Sequence, residues 1–82
     1  MLVESRKDPR GHRLRMARYA RRIPQGALAR AAGISQKHLC QLEQGYVNMG
    51  NVAGKTLYSL AKAVGLSVEQ LLKKDQQDPE DR

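Results

Sequence analysis

The sequence contains no Trp and no Phe, one Cys, two His and three Pro in 82 residues. Any core must therefore be built from aliphatic side chains and three Tyr. The single Cys40 excludes an internal disulfide, and one Cys with two His excludes a zinc ligand set at a recognised spacing. This usage fits a reducing compartment, and a cytoplasmic protein is expected. No apolar run approaches the ~18 residues that span a bilayer, so an integral membrane protein is not expected. Met1 to Arg10 lacks an apolar segment of the secretory-signal kind. The length predicts one domain.

Acidic residues are scarce as well. Fifteen Lys and Arg face eight Asp and Glu, for a net charge of +7. Residues 1–22 carry +6, residues 23–74 carry +4, and residues 75–82 carry −3. A basic body with a short acidic tail suits a polyanionic partner, nucleic acid before an anionic membrane surface. Net charge also serves plain solubility, so charge alone favours nucleic acid only modestly.

Residues 1–8 read as a flexible basic arm, 9–74 as the domain, and 75–82 as an acidic, disordered tail with nothing to bury. Asp8-Pro9 is a helix start signal, and a helix is expected from there to about Arg22, weakened in its first turn by Gly11. Ile23-Pro24 interrupts it. A second helix, Gln25 to Ala32, ends at Gly33. Ser35 caps a third, Gln36 to Gln44, which Gly45 stops. Tyr46 to Ala53 reads as a loop. Leu57, Leu60, Ala61 and Val64 recur at helical spacing before Gly65, and mark the clearest helix. Ser67 and Gln70 have capping-box spacing and open a short fifth helix with Val68, Leu71 and Leu72. No alternating pattern suggests a strand. The expected fold class is all-α, with five helices.

The informative unit is Gln25 to Gln44: two short helices joined by a tight turn. Ala29 keeps the crossing close, Gly33 turns the chain without a Cβ clash, and Leu28, Ile34, Leu39 and Leu42 bury the inner faces. That is the geometry of a helix-turn-helix.

From Leu14 to Leu72 the chain resembles the phage-repressor class of helix-turn-helix domains, the Xre or Cro/cI family. The matching text is Leu14-Arg15 and Arg18, Gln25 with Leu28-Ala29, Ala32-Gly33-Ile34-Ser35, Leu42-Glu43-Gln44-Gly45, Leu60 through Ser67, and Leu71-Leu72. The resemblance implies a five-helix DNA-binding domain whose third helix enters the major groove of double-stranded DNA. By position, Gln36, Lys37 and Gln41 correspond to base-reading residues. Their chemistry fits, since Gln pairs bidentately with adenine and Lys donates to guanine. By the same resemblance Gln25, Ser35, Gln44 and Asn48 approach the DNA backbone, with Lys55 close by. Ser35 also serves as a cap. His38 is either a pH-sensitive phosphate contact or a bystander.

Arg18 and Glu43 match positions that form an ion pair between helices one and three. The alternative is that Arg18 joins a basic face of helix one. Cys40 reads as a packing or surface residue rather than a redox switch. Two features depart from the family. Pro24 stands where a capping Ser or Thr is usual, so helix two starts without a cap or Gln25 takes over part of that role. The 46–54 segment is longer than usual, and Tyr46 either lies on DNA or folds inward.

Function class follows from the same residues. The leading expectation is a transcriptional regulator acting as a homodimer on an inverted-repeat operator, with no cofactor, no small-molecule ligand evident, and no membrane. Val64, Leu66, Val68, Leu71 and Leu72 form the candidate dimer surface, unless they close the monomer core. The alternative is a protein-binding adaptor or antitoxin-like module on the same fold. A membrane-binding amphipathic helix ranks last, because helix one lacks a wide apolar face. An enzyme is not expected: no nucleophile–base set, carboxylate pair or metal cluster stands out.

Overall fold

The computed structural model describes residues 8–73. Its elements are α1 (Arg10–Ala20), α2 (Gln25–Ala32), α3 (Gln36–Gln44), a 3-10 turn (Met49–Asn51), α4 (Gly54–Val64) and α5 (Val68–Leu72). No strand occurs among the described residues. The expected arm and tail fall almost wholly outside them.

The core is aliphatic. Leu14, Leu28, Leu39, Leu42, Met49, Leu60 and Leu71 are fully buried, and Ala29, Leu57, Ala61 and Val64 nearly so. Each helix places a leucine at this centre, which is where most of the hydrophobic stabilisation resides. α3 packs on both α1 and α2, α4 lies against α2, and α5 closes over α4 and α1. Small residues at two crossings keep the axes close. Ala29 is 2% exposed at the turn between α2 and α3. Gly11 is buried on α1, and a Cβ there would overlap the Leu42 carbonyl oxygen.

Helix ends explain the boundaries. Gly33 adopts φ +73° and lets the Ile34 N–H reach the Ala29 carbonyl at 3.0 Å, which turns the chain sharply into α3. Ser35 accepts from the His38 N–H at 3.0 Å. Ser67 and Gln70 form the complete capping box. α1 stops two residues before the expected Arg22. Arg22 takes the left-handed conformation itself (φ 57°), and the Ile23 N–H bonds back to the Arg18 carbonyl. A side chain in that region costs about 1–2 kcal/mol, which the neighbouring Pro24 and the buried Arg18 impose. Pro24 provides no side-chain cap for α2, and the Gln25 amide turns elsewhere.

The 46–53 segment is more ordered than a plain loop. Met49 is fully buried, so this stretch belongs to the core. Asp8 fastens it. The Asp8 N–H donates to the Gly45 carbonyl at 2.9 Å, and its carboxylate accepts from the Met49 N–H at 2.7 Å and from Arg10 N–H and Nε at 2.9 Å each. Asp8 is thus part of the folded body rather than the last residue of an arm. Burial opposes the charged carboxylate, but the Arg10 guanidinium and the two N–H donors outweigh it and hold the pKa below the ordinary aspartate value. A lowered folded-state pKa adds stability above the ordinary value of 3.8, and that stability is lost as the pH falls through the lower, folded value. Asp8→Asn is expected to remove about 2 kcal/mol at neutral pH and to flatten the decline below pH ~4. Urea midpoints measured from pH 7 to 2.5 check this, and an acid limb unchanged by the substitution would contradict it.

Two arginines of α1 hold α5. Arg10 Nη1 donates to the Leu72 carbonyl at 2.8 Å, and Arg13 Nη1 to the Gln70 and Lys73 carbonyls at 2.6 Å. Cations at a helix C-terminus complement its dipole. The candidate dimer surface needs correction here. Val64 is 3% and Leu71 0% exposed, so both belong to the interior core rather than to a solvent-facing surface. Leu66, Val68 and Leu72 are half-buried against the same core. No described helix is long and apolar enough to cross a membrane.

Candidate nucleic-acid interface

α3 has two unlike faces. Leu39, Leu42 and Glu43 point inward and are buried. Gln36, Lys37, Gln41 and Gln44 are exposed, and His38 and Cys40 are half-buried between them. Steps of four residues (37 to 41) and three (41 to 44) line the polar side chains along one strip. Beside this strip lies the first turn of α2, with Gln25 and Gly26.

The inner end of the site is an ion pair. Arg18 Nε and Nη2 donate to Glu43 Oε2 and Oε1 at 2.7 and 2.9 Å, a bidentate arrangement across α1 and α3. Arg18 is 7% and Glu43 2% exposed. Arg18 Nη1 also donates to the Ile23 carbonyl at 2.9 Å. The hydrogen bonds to Glu43 raise the Arg18 pKa against the opposing effect of burial, so the guanidinium is charged at every working pH.

From this pair a chain of contacts runs outward. Gln25 Nε2 donates to Glu43 Oε1 at 3.1 Å, and Gln36 Nε2 donates to Gln25 Oε1 at 3.2 Å. The structure therefore brings Arg18, Glu43, Gln25 and Gln36 together. Gly26 makes room: a Cβ on it would stand 3.2 Å from Gln36 Oε1. Sequence reasoning passed over Gly26, and it read Gly11 as a weak point of the first turn rather than as a close helix crossing. A glycine inside the first turn of a helix, against propensity, was the available signal for both.

The remaining candidates are placed separately. Ser35 is occupied as the α3 cap. Asn48 is exposed, but its Oδ1 accepts from the Gly50 N–H at 2.7 Å and from Arg10 Nη2 at 3.0 Å, so it also caps the 3-10 turn. Lys55 is exposed on the first turn of α4, and Tyr46 faces outward at 63% exposure.

No protein-family model matches the chain, and no curated protein sequence matches it. Solved structures do. The P22 c2 repressor protein, in complex with synthetic operator 9T, is 33% identical with a TM-score of 0.70; the match covers 80% of this chain and 96% of that one. The chain belongs to the phage-repressor-like helix-turn-helix family. The clp gene regulator ClgR from Corynebacterium glutamicum is 29% identical with a TM-score of 0.69, over 88% of this chain and 70% of that one. The restriction-modification controller protein C.AhdI from Aeromonas hydrophila is 29% identical with a TM-score of 0.64, over 76% and 89%.

Within this phage-repressor-like fold, α2, Gly33 and α3 are the helix-turn-helix itself. Leu28, Leu39 and Leu42 are fully buried there, and Ile34 packs against them. The other helices hold that unit: α1 through the ion pair, α4 through α2.

Proposed function

We propose that this phage-repressor-like domain is a sequence-specific regulator of transcription that binds double-stranded DNA with α3 in the major groove. The observation that carries the reading is the strip of exposed Gln36, Lys37, Gln41 and Gln44 on a helix whose opposite face is fully buried. A rigid helix with an outward polar edge is what a major groove accepts. The operator complex of the P22 c2 repressor supports the same reading.

Gln36, Lys37 and Gln41 read base edges. Gln25, Ser35, His38, Gln44, Asn48 and Lys55 approach phosphates, with the first turn of α2 adding backbone N–H groups. One helix reads only a few base pairs, so the protein acts as a homodimer on an inverted repeat, with half-sites about 34 Å apart. With Val64 and Leu71 interior, Leu66, Val68 and Leu72 remain to form the dimer contact. The protein works in the cytoplasm and needs no cofactor, metal or small-molecule ligand.

Selection of bound duplexes from a random pool tests this. The expected product is a palindrome, bound with an affinity whose logarithm falls linearly with the logarithm of salt concentration, by about 0.9 per phosphate neutralised. A pool that yields no enriched sequence, or binding that is flat in salt, would overturn the reading and favour a protein-binding module.

A further inference from the structure

Acidic side chains are unevenly placed along this chain. Residues 8–73 carry eleven Lys and Arg against three Asp and Glu. Two of those three acids are committed, Asp8 to Arg10 and Glu43 to Arg18. Four others, Asp75, Asp78, Glu80 and Asp81, then follow within seven residues. No Leu, Ile, Val, Met or aromatic residue lies among them. The segment has nothing to add to a core, and its chemistry is that of a short polyanion.

The fold decides where that segment starts. Arg10 Nη1 donates to the Leu72 carbonyl at 2.8 Å, and Nη2 of the same guanidinium donates to Asn48 Oδ1 at 3.0 Å. One planar group therefore joins the end of α5 to the 3-10 turn. Arg13 holds the Lys73 carbonyl at 2.6 Å, so the chain leaves the domain from a fastened point beside Asn48. The edge there suits an anionic oxygen. Asn48 Oδ1 is used by Arg10 and by the Gly50 N–H, which leaves the Nδ2 donors unpaired among the described residues. Lys55 and Lys73 are exposed, and neither ammonium has a partner among the described residues. Eight residues, Lys74 to Asp81, span at most about 26–29 Å, which keeps all four carboxylates near this end of the molecule. Each exposed carboxylate–cation contact is weak, but the tether holds the acids at an effective concentration of about millimolar.

We infer that residues 75–82 dock on the edge formed by Asn48, Lys55 and Lys73 as an intramolecular phosphate mimic, which any duplex must displace to bind. Carboxylate and phosphate oxygens take the same donors, and Asn48 and Lys55 are two of the residues proposed to approach phosphates. The competition rests on the DNA-binding reading, whereas the docking is a property of the free protein. Duplex DNA carries one charge per ~1.7 Å of its axis, so it displaces four carboxylates once it is in excess. The outer edge of α3 takes no part in the docking. The penalty therefore falls on all sequences alike and leaves base preference unchanged.

Two measurements on the full chain test the proposal, with Asp75→Asn, Asp78→Asn, Glu80→Gln and Asp81→Asn combined in one variant. The first is ¹⁵N spectroscopy without DNA at about 50 mM salt, where screening acts over more than ~10 Å. The Asn48 side-chain amide and the Gly50, Lys55 and Lys73 signals are expected to differ between native protein and variant. Arg30 and Lys62, exposed cations elsewhere on the surface, are expected to stay in place. In the native protein the same four signals are expected to move toward the variant positions as salt rises to about 1 M, where screening shortens to ~3 Å. That titration needs no substitution and carries the test if the variant fails to fold. The second measurement is binding to a duplex of random sequence. The variant is expected to bind about tenfold more tightly at low salt, with the gap narrowing as salt rises. Both proteins are expected to enrich the same sequence from a random pool.

Unmoved Asn48 and Lys55 signals, or shifts of equal size at Arg30 and Lys62, would overturn the docking. Shifts that grow with protein concentration would place the segment of a second copy on the edge and overturn the intramolecular contact. Equal affinity of native protein and variant for the duplex would overturn the competition. The expected shifts in a protein that binds no duplex in either form would remove the DNA reading and the competition with it, while upholding the docked segment.

Discussion

Gly11→Ala is expected to destabilise the protein by about 3 kcal/mol, although alanine is the better helix former by about 1 kcal/mol. The sign is decided by space. Gly11 is buried in the first turn of α1, and an added Cβ would overlap the Leu42 carbonyl oxygen and stand 3.0 Å from the Glu43 oxygen. The obstacle is backbone, which cannot rotate out of the way as a side chain could. α1 must back away from α3, and Leu14 and Arg18 lie on the same face of α1, at the third and seventh positions on. Their contacts in the core and to Glu43 would stretch together. Overpacking usually costs about 1–3 kcal/mol, and a clash with a neighbouring helix backbone belongs at the upper end. For a domain of this size that corresponds to a drop of about 15 °C in Tm. Thermal and urea unfolding measure it, and an unchanged or raised midpoint would show that α1 and α3 stand further apart.

The Arg18–Glu43 pair is expected to behave non-additively. Either single change, Arg18→Met or Glu43→Leu, should cost about 3–5 kcal/mol, because it strands a buried charge. The double change should cost far less than the sum, since two apolar side chains of similar volume replace two desolvated ions. Some loss will persist, because Arg18 also holds the Ile23 carbonyl and Glu43 accepts from Gln25. A double-mutant cycle by urea unfolding gives the coupling directly. Additive losses would mean that the two side chains act independently. Restored stability in the double variant with lost sequence preference would separate the pair's role in recognition from its role in folding.

Much of the architecture was legible because it depends on neighbours in sequence. The recurrence of Leu57, Leu60, Ala61 and Val64, the caps at Ser35 and Ser67, and the stop at Gly33 each act within one or two turns. What stayed hidden joins distant segments. Arg10 reaches the Leu72 carbonyl across 62 positions, and no periodicity in α1 reveals that partner. Met49 is buried through its fastening to Asp8, 41 positions away, so a polar-looking segment concealed a core residue. Helical spacing marked Val64 and Leu71 as apolar but not whether their side faced the core or a second copy. Arg22 in the left-handed region ran against residue preference, and only the turn around Pro24 accounts for it. For the candidate site, the exposed edge of α3 could be named residue by residue, whereas the link from Glu43 through Gln25 to Gln36 depends on how α2 and α3 meet.

The grip of Arg10 and Arg13 on the last carbonyls of α5 gives the molecule a weak seam. α5 has five residues, and Leu71 is its single fully buried side chain. Local opening should begin there, well before the Gly11 crossing separates. Such a fluctuation would uncover the leucines beneath and free the Arg13 guanidinium, while Arg10 stays paired with Asp8, so the same event that loosens one end would briefly offer a new cation on α1.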